Sequence, residues 1–95
     1  MLVLIAEDFI SPNAIETVLP MYEELVKKTR TETGCISYDL THDLNYEGHF
    51  IFIEQWEDEV ALKEHISSEH FKRLVPLIDQ HIIKKAKYTR MTKVF

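Results

Sequence analysis

Cysteine is nearly absent from this 95-residue chain: Cys35 stands alone, so no disulfide can close within it. Glycine is almost as scarce, with only Gly34 and Gly48. A phosphate-cradling loop needs several glycines close together, which removes the nucleotide-binding motifs. No apolar run approaches the roughly 20 residues that span a bilayer. Basic residues are outnumbered, 11 against 16 acidic, for a formal charge of -5. A nucleic-acid footprint needs a basic stripe, and an anionic membrane surface selects for the same, so neither is an expected partner. No His, Cys, Asp and Glu set has a recognised zinc spacing, so neither a metal nor another cofactor is expected. The start, MLVLIAEDF, is apolar but lacks a basic flank and a small-residue cleavage site. It reads as a first strand and not as a signal peptide. The expectation is one domain over residues 1–95, in the cytoplasm.

What is present is well-patterned. Residues 2–9 are rich in β-formers and short enough for a strand. Ser11-Pro12 is a helix-start signal. Ile15, Val18, Leu19, Tyr22, Leu25, Val26 and Thr29 then recur at helical spacing, predicting one amphipathic helix over about 12–32. Pro20 lies off that stripe and predicts a kink; Gly34 is expected to close the segment as a C-terminal cap. Residues 35–42 alternate, with Ile36, Tyr38, Leu40 and His42 on one face and Cys35, Ser37, Asp39 and Thr41 on the other. A polar turn, 43–48, leads to a second strand over 49–56, an antiparallel hairpin. Residues 58–66 form a short helix with Ala61, Leu62, His65 and Ile66 on one side. Ser67 or Ser68 caps the next helix, which carries Phe71, Leu74, Val75 and Ile78 and is kinked or weakened by Pro76. Residues 84–95 alternate again as a last strand.

The order β-α-β-β-α-β most readily folds as an α+β, ferredoxin-like four-stranded antiparallel sheet with the helices on one face. The strand over 49–56 is apolar on both sides: Phe50 and Phe52 point one way, Ile51 and Ile53 the other. The helices cover only one side. A second copy packed sheet to sheet would cover the other, giving a homodimer.

Four stretches carry a resemblance. Glu32-Thr33-Gly34-Cys35-Ile36-Ser37-Tyr38 is similar to an E-x-G-C-x-x-Y motif. Ile53-Glu54-Gln55-Trp56-Glu57 is similar to an E-x-W strand end. Ala61-Leu62-x-x-His65 and Ser68-x-His70-Phe71 complete the set. In this order and over nearly the whole chain, they resemble the antibiotic-biosynthesis monooxygenase-like family of dimeric α+β barrels. The resemblance implies a dimer and a pocket between helices and sheet. Relatives of this kind include cofactor-free oxygenases of quinols or polyphenols, haem-degrading oxygenases, and an isomerase of a phosphorylated signalling sugar. Haem degradation fits poorly: Val75 stands where those relatives place a haem-ligating histidine, His65 replaces their tryptophan, and Asp8 replaces an asparagine.

The candidate site follows. His65, on the apolar side of its helix, is the expected base, since its ordinary pKa suits proton transfer near neutrality; the plain alternative is a core histidine satisfied by a carbonyl. Trp56 is expected to wall the pocket and offer its indole N–H to a substrate oxygen, or else simply to fill the core. Glu54, a carboxylate among bulky neighbours, needs a partner: it would orient His65 or pair with Arg90. Asp8, Tyr38, Phe52, Glu54 and Phe71 are the expected substrate-binding groups. His70 is expected in the first turn of a helix, partly exposed at the surface, and Cys35 as a small buried residue and not a nucleophile. The first reading is a cofactor-independent, homodimeric monooxygenase of a quinol-like small molecule. The alternatives are an isomerase of a small phosphorylated metabolite and a non-catalytic ligand-binding dimer.

Overall fold

The computed structural model describes residues 1–95. The chain runs β1 (Leu2–Ile10), a single 3-10 turn (Pro12–Ala14), α1 (Ile15–Thr29), β2 (Cys35–His42), β3 (His49–Trp56), α2 (Glu59–Ile66), α3 (Glu69–Asp79) and β4 (Ile82–Thr92). The four strands form one antiparallel sheet in the order β2-β3-β1-β4, the ferredoxin-like arrangement. No helix is long and apolar enough to cross a membrane.

Strand periodicity sets the layers. In β3, Phe50, Phe52, Glu54 and Trp56 are buried, while Ile51 is half-buried and Ile53 is 39% exposed. In β1, Leu4, Ala6 and Ile10 turn inward on the same side. The helices supply Val18, Tyr22 and Leu25 from α1, Ala61 and Leu62 from α2, and Leu74 and Ile78 from α3 to one continuous core. The α1 positions repeat at intervals of four and three, one face of a helix. Leu19, which also fits that stripe by spacing, is 44% exposed.

The helix ends differ from expectation in instructive ways. Ser11 makes no side-chain cap, and the first turn tightens into the 3-10 segment before α1 begins. Asp58 and Ser68 do cap: the Ala61 N–H donates to Asp58 Oδ1 at 2.9 Å, and the Phe71 N–H to Ser68 Oγ at 3.3 Å. Caps of this type are worth about 1 kcal/mol each. Both α1 and α3 run on through Pro20 and Pro76, which face solvent.

Gly34 does not adopt the left-handed cap conformation. Its role is close approach: an added Cβ would stand 2.3 Å from the Ala61 Cβ, so the start of β2 lies directly against α2. Gly48 is used in the same way, since a Cβ there would lie 2.0 Å from the Ile10 carbonyl oxygen, and its own carbonyl accepts from the Ile10 N–H at 2.7 Å.

The alternation expected for β2 is interrupted. The register pairs Cys35 with Trp56 and then Ser37 with Gln55, leaving Ile36 as a bulge. One extra residue shifts everything before it to the other face. Cys35 therefore packs against the core, and Ile36 is 50% exposed, the reverse of simple alternation.

Candidate functional site

The helices do not seal the sheet completely. A cavity of about 360 Å³ lies between them, with Leu4, Leu25, Phe52, Leu62, Phe71 and Val75 among its apolar walls and Asp8, Tyr38, Glu54, His65, Asp79 and Arg90 among its polar ones. Its volume is that of a small-molecule site. Of the residues expected from sequence, Asp8, Tyr38, Phe52, Glu54, His65 and Phe71 all line this one space.

Trp56 does not. It is fully buried behind the cavity wall, and its indole N–H is already committed, donating to Glu54 Oε1 at 3.0 Å. A substrate oxygen cannot use a donor that is spent inside the protein. Trp56 instead backs the two groups that do face the cavity. It bonds Glu54, and its ring lies 4.7 Å from the His65 ring. Tyr38 and Phe71 complete the enclosure, with ring centroids 5.3 and 5.0 Å from His65 in edge-on contacts. A histidine boxed by three aromatic rings has one available orientation.

That orientation directs Nδ1 to Glu32 Oε2, 2.7 Å away. A nitrogen so close to a carboxylate oxygen carries the proton, so Nε2 holds the lone pair. Burial pushes the His65 pKa down and His70 adds to this, while the Glu32 carboxylate works in the opposite direction. The ring is thus neutral near pH 7, as a base must be. The orienting carboxylate is Glu32 and not Glu54, for which His65 was one of the two partners expected from sequence. Glu32 lies in the turn after α1, fixed by its N–H to the Thr29 carbonyl at 3.0 Å and by the Cys35 N–H to its own carbonyl at 3.1 Å. It opens the E-x-G-C-x-x-Y stretch, which marked the position without disclosing its partner. The same Oε2 also accepts from His70 Nε2 at 2.7 Å. His70 sits partly exposed in the first turn of α3, as expected, but its ring is held by this bond.

The remaining acids are shaped by burial. Glu54 is 3% exposed, and its pKa is pushed up to about 7, chiefly by desolvation, with the Trp56 N–H pulling the other way and Glu32 adding to the rise. Arg90 does not pair with it; that guanidinium meets Glu59. Asp8 is raised by burial too, less what it regains as acceptor of the Tyr22 hydroxyl at 2.7 Å. Tyr22, Asp79 and Tyr88 also line the cavity. Spacing places Tyr22 only on the helical stripe of α1 and does not single out the other two. A neutral imidazole and a carboxyl that titrates near neutrality thus line the same largely apolar space.

Comparison with known proteins bears on the same residues. Residues 1–77 match the family described as antibiotic biosynthesis monooxygenase, which spans every motif stretch from Glu32 to Phe71 as well as β1. The chain belongs to that family. A curated relative from Bacillus subtilis (strain 168), named "Putative monooxygenase YcnE", is 36% identical over 75 residues, 79% of each chain. A crystal structure titled as an antibiotic biosynthesis monooxygenase superposes with a TM-score of 0.97 at 52% identity, covering 99% of both chains. A Pseudomonas aeruginosa protein superposes with a TM-score of 0.90 at 32% identity, covering 99% of this chain and 94% of its own. The family's fold is therefore present in full, and the cavity described above lies within it.

Proposed function

We propose that this chain is a homodimeric monooxygenase acting, without metal or organic cofactor, on a quinol- or polyphenol-like molecule bound in the helix–sheet cavity. The observation that carries this reading is the pair of proton-handling groups, His65 and Glu54, facing one apolar chamber. His65 Nε2 takes a phenolic proton, and the Glu32 carboxylate at Nδ1 stabilises the imidazolium that results. The electron-rich substrate anion passes one electron to dioxygen, and the resulting substrate radical and superoxide combine through a new C–O bond to a peroxide. Glu54, titrating near neutrality, is placed to protonate the outer oxygen. Loss of the hydrogen on the same carbon then breaks the O–O bond, leaving one oxygen as a carbonyl and releasing the other as water, with no further reductant needed. Phe52, Phe71, Tyr38 and Asp8 hold the ring, and the apolar walls keep water away from the reacting centre. Trp56 is a positioning residue in this scheme, acting through Glu54 and His65.

The test is oxygen uptake in an oxygen-electrode cell with a quinol reduced anaerobically. His65→Ala should lower the rate by at least the roughly 100-fold that a general base supplies, with sedimentation behaviour unchanged. Equal turnover in the absence of oxygen would replace the oxygenase reading with an isomerase one, and no loss of rate in His65→Ala would remove the histidine from the mechanism.

The dimer belongs to the same reading. The sheet face away from the helices carries Val3, Ile5 and Ile51, half-buried, with Ile53 and Met91 at 39% and 38% exposure. Glu7 and Gln55 interrupt this face, but five apolar side chains on one open sheet surface are more than monomers usually leave uncovered. Ile53→Glu places a charge at its centre and should shift the protein towards monomer in analytical ultracentrifugation, weakening association at least tenfold. A variant that sediments like the unmodified chain would move the interface elsewhere.

A further inference from the structure

We propose that Glu32, His65 and His70 form a site for a divalent transition metal, and that its occupation reverses which nitrogen of His65 carries the proton. The three ligand atoms lie within 4.8 Å of one another, with Glu32 Oε2 2.7 Å from both His65 Nδ1 and His70 Nε2. Ligands at about 2.0–2.2 Å from a tetrahedral ion stand roughly 3.4 Å apart. To admit an ion, the two Glu32 sides of the triangle must open by about 0.7 Å and the His65–His70 side, which is up to 4.8 Å, must close towards the same roughly 3.4 Å. These movements are open to the Glu32 side chain and the His70 ring, 16% and 13% exposed.

The frame that holds the ligands is rigid. His65 lies in the last turn of α2 and His70 in the first turn of α3. Ser68 locks the corner between them, its hydroxyl donating to the His65 carbonyl at 2.6 Å and accepting from the Phe71 N–H. His65 cannot swing away, because three aromatic rings enclose it. Ligands preset on short capped helices are the condition for a defined site. Two imidazoles and one carboxylate suit zinc, copper, nickel or cobalt and not magnesium or calcium. Three protein ligands leave a fourth position for water. His70, 13% exposed, and Glu32 give the ion a path from solvent. The sequence spacing concealed this set because its members come from three segments, with Glu32 33 positions before His65.

Metal at Nδ1 displaces the proton now shared with Glu32. A neutral imidazole keeps one proton, which must then reside on Nε2, the atom that serves as base in the proposed reaction; this consequence rests on that reading. Metal occupation would then leave the cavity facing a donor where it had an acceptor.

The test uses the full chain, freed of metal by chelator and dialysed against zinc chloride. The expected result is one zinc per chain. Glu32→Gln and His70→Ala should each weaken binding by at least the roughly 10- to 100-fold that loss of even an outer partner costs, while His81→Ala, remote from the cluster, leaves it unchanged. Circular dichroism checks that the His70→Ala variant is folded. Nitrogen-15 spectra of the histidine rings should show the His65 proton on Nδ1 before zinc and on Nε2 after. Substoichiometric binding, or binding that ignores both cluster variants, overturns the site; an unmoved His65 proton overturns the switch. Neither readout involves turnover, so a protein that consumes no oxygen refutes the oxygenase reading and leaves this one standing.

Discussion

Glu54→Gln should make the protein more stable than the unmodified chain at about pH 8, by on the order of 3 kcal/mol, and leave it little changed at about pH 5. Burial raises the Glu54 pKa from 4.5 to about 7 in the folded protein. Over that interval the native state holds a proton that the unfolded chain has released. The stabilisation is therefore complete below the unfolded value of 4.5 and is lost as pH rises through about 7. Above that point folding must bury a carboxylate. Glutamine keeps an oxygen for the Trp56 N–H and has no charge to bury. Urea denaturation midpoints of both proteins at the two pH values check this. A difference between them that does not change with pH would mean that Glu54 does not titrate in this range.

Trp56→Ala is expected to cost about 3–5 kcal/mol, the usual range for deleting a large aromatic side chain from a core. Trp56 is fully buried and touches Tyr38 as well as His65, with ring centroids 6.1 and 4.7 Å away. Its removal leaves a void and also withdraws the one donor that holds the Glu54 pKa down, so that pKa should rise further. Trp56→Phe separates the two effects: it keeps most of the packing and loses only the N–H. Thermal denaturation reports the first and carbon-13 titration of the Glu54 carboxyl the second. A cost below about 1 kcal/mol for the alanine variant would show that the surroundings collapse to fill the space.

The fold was legible because its signals are local. The alternation of 49–56, the helical stripe of α1 and α3, the turn at 43–48 and the serine cap before α3 each depend on residues close in sequence. The two-faced character of β3, with Phe50 and Phe52 inward and Ile51 and Ile53 outward, could be read the same way. What escaped was whatever depends on register or on distance along the chain. The bulge at Ile36 is a single-residue insertion with no compositional mark, yet it exchanges the faces of Ile36 and Cys35. Gly34 looked like a helix cap because it follows a helix; its actual constraint, the Ala61 methyl, comes from an element that begins 25 positions later.

The candidate site divides along the same line. Residue type and face were enough to bring Asp8, Tyr38, Phe52, Glu54, His65 and Phe71 to one cavity. Hydrogen-bond partners were not readable, because several carboxylates competed for each donor and periodicity does not rank them. Glu54 was the nearer choice for His65, but Glu32 has it. The Trp56 indole was expected to reach outward, and its nearest acceptor lay two residues away on its own strand face.

The bulge at Ile36 has a chemical consequence beyond packing. It turns the chain's sole thiol inward, where burial first, and then the carboxylates of Glu32 and Glu54, hold its pKa above the ordinary value. A thiol that stays protonated is a poor target for peroxide, since oxidation to sulfenic acid proceeds through the thiolate. In a protein proposed to bring dioxygen and an electron-rich substrate together, a reactive cysteine so near the site would be the first casualty of any reduced oxygen that escaped. One extra residue in an edge strand thus sets the redox exposure of the chain's one thiol.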